Sequence, residues 1–477
     1  MESIWQKRVK TAVERSLDTK VFAAFNTNVD VVVHMDDDNV QRILADSDVS
    51  LADVATLDVD AIDVVRDKNQ FVSVLKDCLG KGKSFHIVLE AMELLDWLES
   101  VFPQRRETMG GQAGIIANQM AALGADSTVY TSLLAPKQAG MFFPEVRTPV
   151  IDEGVCLEPI HNAARVDDKV KINWIFEYKK DLKLDFAGET VVTPRANRVI
   201  LATRPAGVYM GFQGELVNHL SELGQQINVA FMAGYHYAPS DPEAQQKYLN
   251  TTVDSLKQLK AANEHLRMHY EYVPMSDQDA EKNVLAAIAQ EIQSFGINEN
   301  EIKRVLKGFG YDAECQAIEE HERAYCLYEG TLRLMEALPF ERIQLHNLGY
   351  YILVLKKPYA AHPEAVRDAC LFASSVNAIK ARDGGYVSQE LVKDAADIDL
   401  SGIGYDQLQG FAKELMEHGV EVPESFLNDG ILDRGDHYVL LVPAHVIPNP
   451  VSTVGMGDTI SSSSYACEFG LSSAIAK

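Results

Sequence analysis

Near the C-terminus an aspartate, Asp458, follows two glycines, Gly455 and Gly457, at the start of a candidate helix of small residues. Glycines in such a place let backbone N–H groups converge on one point, where the helix dipole also favours an anion. A carboxylate there repels that anion unless it has a task of its own. It would have one if it takes a proton from a nucleophile while the amides of Gly455 to Gly457 hold charge developing on a transferring phosphoryl group. A glycine-rich turn with a helix-start acid is also an ordinary structural feature, so the motif needs support from elsewhere in the chain.

Two further acids offer that support. His269-Tyr270-Glu271 ends a candidate strand, and alternation puts His269 and Glu271 on one face. Asn298 and Glu301 are three apart, the spacing that sets two side chains on one side of a helical turn. Two carboxylates reaching one place from different segments, with few other ligands, are what a hydrated magnesium ion on a phosphate requires. A strand-end salt bridge and an exposed helix start would use the same residues.

Asn28 and Asp30 follow the apolar strand candidate VFAAF at 21–25, where open α/β sheets place ligand-binding groups and where turns also favour Asn and Asp. Gly110-Gly111 opens a small-residue helix candidate, 112–123, with Gln112 as its first side chain able to meet a ligand. Lys171, Arg195, Arg198 and Arg204 gather in one region of an otherwise acidic chain. A local reversal of charge suggests an anionic ligand, although edge-strand lysines that block aggregation look alike. Together these parts describe phosphoryl transfer, which depends on positioning and charge stabilisation. Neither GxxxxGK[ST] nor the protein-kinase signature set occurs, so the nucleotide cradle is of another kind.

The elements that must position these residues read as α/β. Helix candidates at 3–16, 242–265, 276–294 and 363–381 alternate with strand candidates at 127–134, 169–178, 188–201, 208–212, 228–235, 267–273, 343–355 and 437–442. From residue 205 on this is the rhythm of a mostly parallel sheet. The stretch 31–106 is Asp-rich, shows helical pattern with no strong strand run, and reads as part of a smaller subdomain. With 44 basic and 69 acidic residues the chain carries a net charge of −25, which argues against nucleic acid or an anionic membrane as partner. Six scattered cysteines without a CxxC point to a reducing compartment, and the lack of an apolar signal core or span-length run leads to the expectation of a soluble cytoplasmic protein.

In family order and over nearly the whole chain, NTNVD (26–30), MGGQAGIIANQMAALG (109–124), INWIFEY (172–178), PRANRVI (194–200), HYE (269–271), GINENE (296–301) and PVSTVGMGDT (450–459) resemble the ADP-dependent sugar kinases of the ribokinase-like superfamily, the phosphofructokinases and glucokinases. The resemblance implies a large Rossmann-like αβα domain (1–30, 108–156 and 200–477) and a smaller discontinuous α+β lid (31–107 and 157–199). It implies Asp458 as catalytic base, Gly455 and Gly457 as anion hole, and Glu271 and Glu301 as organisers of magnesium, largely through water. Asn28, Asp30, Gly110, Gly111 and Gln112 would hold the sugar. Arg204 would meet the nucleotide phosphates, and Val442, Pro443, Ile447 and Val451 would wall the adenine.

Glucokinases of this family carry a lid glutamate shortly before the GGQ piece, whereas here the corresponding stretch, LGKGKSFHIVL at 79–89, has none before Glu90. Lys171, Arg195 and Arg198 also offer cations to a phosphate already on the sugar, which glucose cannot use. The expected reaction is therefore transfer of the β-phosphoryl of ADP to fructose 6-phosphate. Glucose as acceptor, ATP as donor, and a non-catalytic sugar- or nucleotide-binding regulator on the same fold are the alternatives.

Overall fold

The computed structural model describes residues 3–451 and 454–475. Ser452 and Thr453 of the C-terminal motif lie outside the described residues.

Among the described residues, an eleven-stranded sheet runs in spatial order Ile431–Asp433, His437–Pro443, Tyr350–Lys356, Arg342–Asn347, Ser294–Asn298, Arg267–Glu271, Val229–Ala233, Lys20–Phe25, Asp126–Tyr130, Arg147–Ile151 and Val155–Pro159. Pairing is parallel from Arg342–Asn347 across to Arg147–Ile151 and antiparallel at both ends. Chain order runs outward from Lys20–Phe25 in both directions, so its C-terminal end is a topological switch point, where crevices open in α/β sheets. A six-stranded sheet of Val64–Val65, Phe85–Leu89, Asn197–Thr203, Ile172–Tyr178, Asn28–His34 and Arg106–Gly110 has its own apolar cluster around Trp174, Phe176, Phe71 and Phe102.

The sheets correct several expectations. Phe85–Leu89 and Val64–Val65 are strands inside the stretch read as lacking them. Their alternating burial is short and interrupted, too weak a pattern to outweigh the surrounding helical signal. The run 343–355 is a hairpin, because Asn347-Leu348-Gly349 breaks it with Gly349 at φ 85°. The run 208–212 is a loop whose apolar residues fill an aromatic cluster; Phe212 stacks against Phe22 and meets Phe25 edge-on at 4.9 Å. Asn28 and Asp30 are not in a turn but begin a strand of the smaller sheet. On strand membership the smaller sheet extends from Asn28, to Gly110 and to Thr203, beyond the expected junctions at 31, 107 and 199, and Val155–Pro159 stays with the large sheet across 157.

Candidate active site

The site is built around the turn from Arg106–Gly110 into the helix Gln112–Ala122. A Cβ on Gly110 would lie 2.3 Å from Asp30 Cγ and 2.4 Å from Asn28 Nδ2. One on Gly111, at φ 75°, would lie 2.5 Å from the Asn26 carbonyl oxygen, which already accepts from Ala113 N at 3.0 Å. The two glycines thus bring the turn against the end of Lys20–Phe25 with no side chain between. Immediately after them Gln112 faces the other way: its amide donates to the Glu271 carbonyl at 3.2 Å and to the Asp458 carboxylate. Three consecutive residues therefore join Asn28 and Asp30 to Glu271 and Asp458.

On the first side, Asp30 is buried and accepts from Asn28 Nδ2 at 2.5 Å and Asn173 Nδ2 at 3.3 Å. Burial pushes its carboxyl up to about 6. Lys171, 3 % exposed, donates to Asn26 Oδ1 at 2.6 Å and stands 4.4 Å from the Tyr237 ring centroid. Arg204, expected at the nucleotide phosphates, shares that ring at 5.1 Å and so groups with Lys171, one of the three cations offered from sequence to the acceptor's phosphate. Burial and these two charges hold the adjoining His236 down to about 3. Arg195 does something else: it is exposed and its Nε donates to the Gly82 carbonyl at 2.7 Å, bracing a lid loop. Arg198 is exposed beside its strand partner Glu177, and its charge is felt at Asp30.

On the second side, Asp458 sits in the first turn of the helix Met456–Ile475, beside Gly455 and Gly457. It borders a cleft of ≈ 440 Å³ together with Glu271, Glu301, His346 and Asn377. A Cβ on Gly457 would approach Glu271 Oε1 to 3.2 Å and His346 Cε1 to 3.4 Å, so glycine keeps this turn close to the acid pair. Glu271 Oε2 meets His269 Nε2 at 3.2 Å, and its Oε1 meets His346 Nε2 at 2.6 Å. Burial opposes ionisation of this pair, but their mutual attraction prevails and holds Glu271 low and His346 high. Glu301 is raised to about 7 by burial and by the Glu271 charge. Its Oε2 accepts from Asn298 N at 3.0 Å while Asn298 caps the helix, so the NxxE spacing is also a capping box. Burial and the Glu271 charge raise Asp458 to about 7, opposed by Gln112, His346 and Lys380.

Sequence reasoning missed His346 and Lys380. His346 was hidden in a run read as one strand, although the Asn347–Gly349 turn signal marks it as a strand end. Lys380 lies within a 21-residue helix, Pro363–Asp383, where nothing local distinguishes it. It is buried, donates to the Gly385 carbonyl at 3.1 Å, and lines a second cavity of ≈ 300 Å³ with Asp30, Tyr386 and Val451. The Tyr386 phenol feels both the Asp30 and Asp458 charges, which puts this cavity beside both acids.

The expected adenine wall is corrected in part. Val442 is fully buried in the main core opposite Tyr351, and Pro443 is buried with Gly404 packed on it, so both back the sheet rather than face a ligand. Ile447 is partly buried and Val451 is 67 % exposed.

This arrangement couples an acid at a helix N-terminus to a carboxylate–histidine pair on one side and, on the other, to a buried lysine, Lys171, paired with the exposed Arg204. A family model described as the ADP-specific phosphofructokinase/glucokinase conserved region matches residues 19–467. The chain belongs to that family. It is 28 % identical over 455 residues to an ADP-specific phosphofructokinase of Methanosarcina acetivorans, covering 93 % of this chain and 92 % of the relative. Among solved structures it is similar to a last common ancestor of ADP-dependent phosphofructokinases from Methanosarcinales, with a TM-score of 0.86, 31 % identity and 98 % of each chain covered. It is also similar to an ADP-dependent kinase in complex with fructose-6-phosphate and ADPβS, with a TM-score of 0.81, 30 % identity, and 98 % of this chain and 99 % of that one covered. No helix among the described residues is long and apolar enough to cross a membrane.

Proposed function

We propose that the chain is an ADP-dependent 6-phosphofructokinase that transfers the β-phosphoryl of ADP to the 1-hydroxyl of fructose 6-phosphate, giving AMP and fructose 1,6-bisphosphate. The observation that carries this reading is the Gly110–Gln112 turn. It ties an acid-and-amide clamp for a polyol, Asn28 and Asp30, to the general base and phosphate-side groups, Asp458 and Glu271. The relatives' names support the donor and the acceptor.

In this reading Asp458 removes the proton of the attacking hydroxyl as the new O–P bond forms and the bond to the AMP oxygen breaks. Its raised pKa suits a base that works near neutral pH. The amides of Gly455 to Gly457 receive the charge on the transferring group, and His346 adds a cation on the nucleotide side. Lys171 and Arg204 hold the 6-phosphate; Lys171 is buried, Arg204 is exposed, and the Tyr237 ring they share orients both to donate to it. Glu90, the first glutamate after the lid strand Phe85–Leu89, is exposed and paired with Arg66 at 2.8 Å, so it offers glucose no clamp.

Among the described residues no cluster of three or more His, Cys, Asp or Glu side chains forms a ready metal cage. Glu271 and Glu301 nonetheless fit a hydrated magnesium ion: each has oxygens partly occupied by protein donors, and their mutual repulsion, seen in raised Glu301, is relieved by a cation. When bound with ADP, such an ion supplies charge neutralisation on the phosphates. An assay crossing ADP or ATP with fructose 6-phosphate or glucose, with magnesium present or chelated, tests the reading. Turnover is expected with ADP and fructose 6-phosphate and lost on chelation; turnover with ATP and not ADP refutes it.

A further inference from the structure

On the sheet face covered by the C-terminal helix, His269, Ser294 and Arg342 stand in register across three adjacent parallel strands. None is more than 1 % exposed. Arg342 Nη1 lies 3.0 Å from Ser294 Oγ, Ser294 Oγ lies 2.8 Å from His269 Nδ1, and His269 Nε2 lies 3.2 Å from Glu271 Oε2. The partners themselves assign the protons. A guanidinium only donates, so Ser294 accepts from Arg342. The serine's own proton then goes to His269 Nδ1, the contact able to accept it. That leaves the ring proton on Nε2, aimed at the Glu271 carboxylate. Every link points the same way, from guanidinium to carboxylate, and such chains strengthen one another.

Arg342 is in turn held from the helix that starts with the Gly455–Asp458 turn. Its Nε donates to Glu468 Oε2 at 3.2 Å, with both side chains 0 % exposed, and the Tyr359 hydroxyl donates to the other Glu468 oxygen. Arg342 Nη2 and Ser464 Oγ both donate to Gln344 Oε1 at 2.7 Å. Ser461, Ser464 and Glu468 are spaced along one helix face. Gly296 completes the fit: a Cβ there would lie 1.9 Å from Glu271 Oε2 and 2.8 Å from Ser461 Oγ, so glycine lets Glu271 lean across the strand to His346. Phe231 and Tyr465 wall the His269 ring at 5.7 and 5.5 Å. A buried Arg–Glu pair is a poor source of net stability compared with apolar packing, which gives weight to the direction in which this one is wired.

We propose that Arg342 and Ser294 are positioning residues for Glu271, acting through the His269 ring, so that the helix carrying the general base also aims the carboxylate on the phosphate side. The inference rests on the assignment of Glu271 to the metal–nucleotide side of the reaction. Binding of Mn²⁺ with ADP, without acceptor, tests it by electron paramagnetic resonance and calorimetry on the full chain. Ser294→Ala leaves the Arg342–Glu468 pair intact and is expected to weaken Mn²⁺–ADP binding by about tenfold, the scale of a lost partner behind a metal-side group, with metal-free ADP unaffected. The ¹⁵N resonances of the His269 ring should change from one Nε2–H tautomer to an averaged pair. Arg342→Lys should weaken Mn²⁺–ADP binding alone but add nothing in the Ser294→Ala background. Wild-type Mn²⁺–ADP affinity in folded Ser294→Ala, equal loss for metal-free ADP, or additive effects of the two substitutions overturns the proposal. Glu271→Gln serves as the reference: if it too binds Mn²⁺–ADP normally, the metal-side reading of Glu271 fails, and the proposal with it.

Discussion

Asp458→Asn is expected to stabilise the ligand-free protein at pH 8 while removing turnover. Burial and then the Glu271 charge raise Asp458 from 3.8 to about 7. The folded state therefore binds this proton more tightly than the unfolded chain does. The group's contribution to stability falls as pH rises from about 4 to about 7, and above that range the ionised carboxylate is a liability to the fold. A shift of roughly three units at ~1.4 kcal/mol each sets a ceiling of about 4 kcal/mol. The carboxylate borders an open cleft, and solvent screening brings the expectation to about 1–2 kcal/mol. At about 2.1 cal/mol/K per residue, 477 residues give an unfolding entropy of roughly 1 kcal/mol/K, so Tm should rise by about 1–2 °C. Asparagine keeps the volume and still accepts from Gln112, which isolates the charge. Calorimetric melts of both proteins from pH 4 to 8.5, without nucleotide, should show a difference that opens with pH and closes toward pH 4. A variant less stable at pH 8, or a difference independent of pH, refutes the reasoning. Turnover should fall by about 10²–10⁴-fold for a lost general base.

The same carboxyl predicts that kcat/KM falls as pH drops through about 7, because the base must be ionised in the free enzyme. Lys380→Met removes a charge that favours the carboxylate and should move this limb to higher pH; an unmoved limb would deny Lys380 that role. Lys171→Ala and Arg204→Ala should each raise the KM for fructose 6-phosphate by about 10–100-fold, the worth of a charge-assisted hydrogen bond, whereas Arg195→Ala should leave it unchanged. Steady-state kinetics of the three variants separates the cations proposed to meet the sugar's phosphate from the one that braces the lid. Gly296→Ala should lower kcat, because the new methyl displaces Glu271 Oε2 as well as pressing on Ser461 Oγ; a lower Tm with kcat unchanged would mean that the glycine serves the sheet.

The sequence by itself determined the parts that depend on local chemistry. Gly110-Gly111 could be read as a close approach of backbone because only glycine tolerates it, and the structure shows it meeting Asn26, Asn28 and Asp30. The glycines before Asp458 and the alternation of His269 with Glu271 were legible for the same reason: spacing within one element fixes which groups share a face. Partners drawn from distant elements were not legible. Which cation joins Lys171 was decided by the Tyr237 ring, which gathers Arg204 while Arg195 turns to Gly82. His346 becomes a partner of Glu271 only because Gly296, on the strand between them, leaves room. The family resemblance implied Val442 as a ligand wall, yet sheet pairing buries it opposite Tyr351. In each case the deciding quantity is the register of strands far apart in sequence, and no local pattern encodes it.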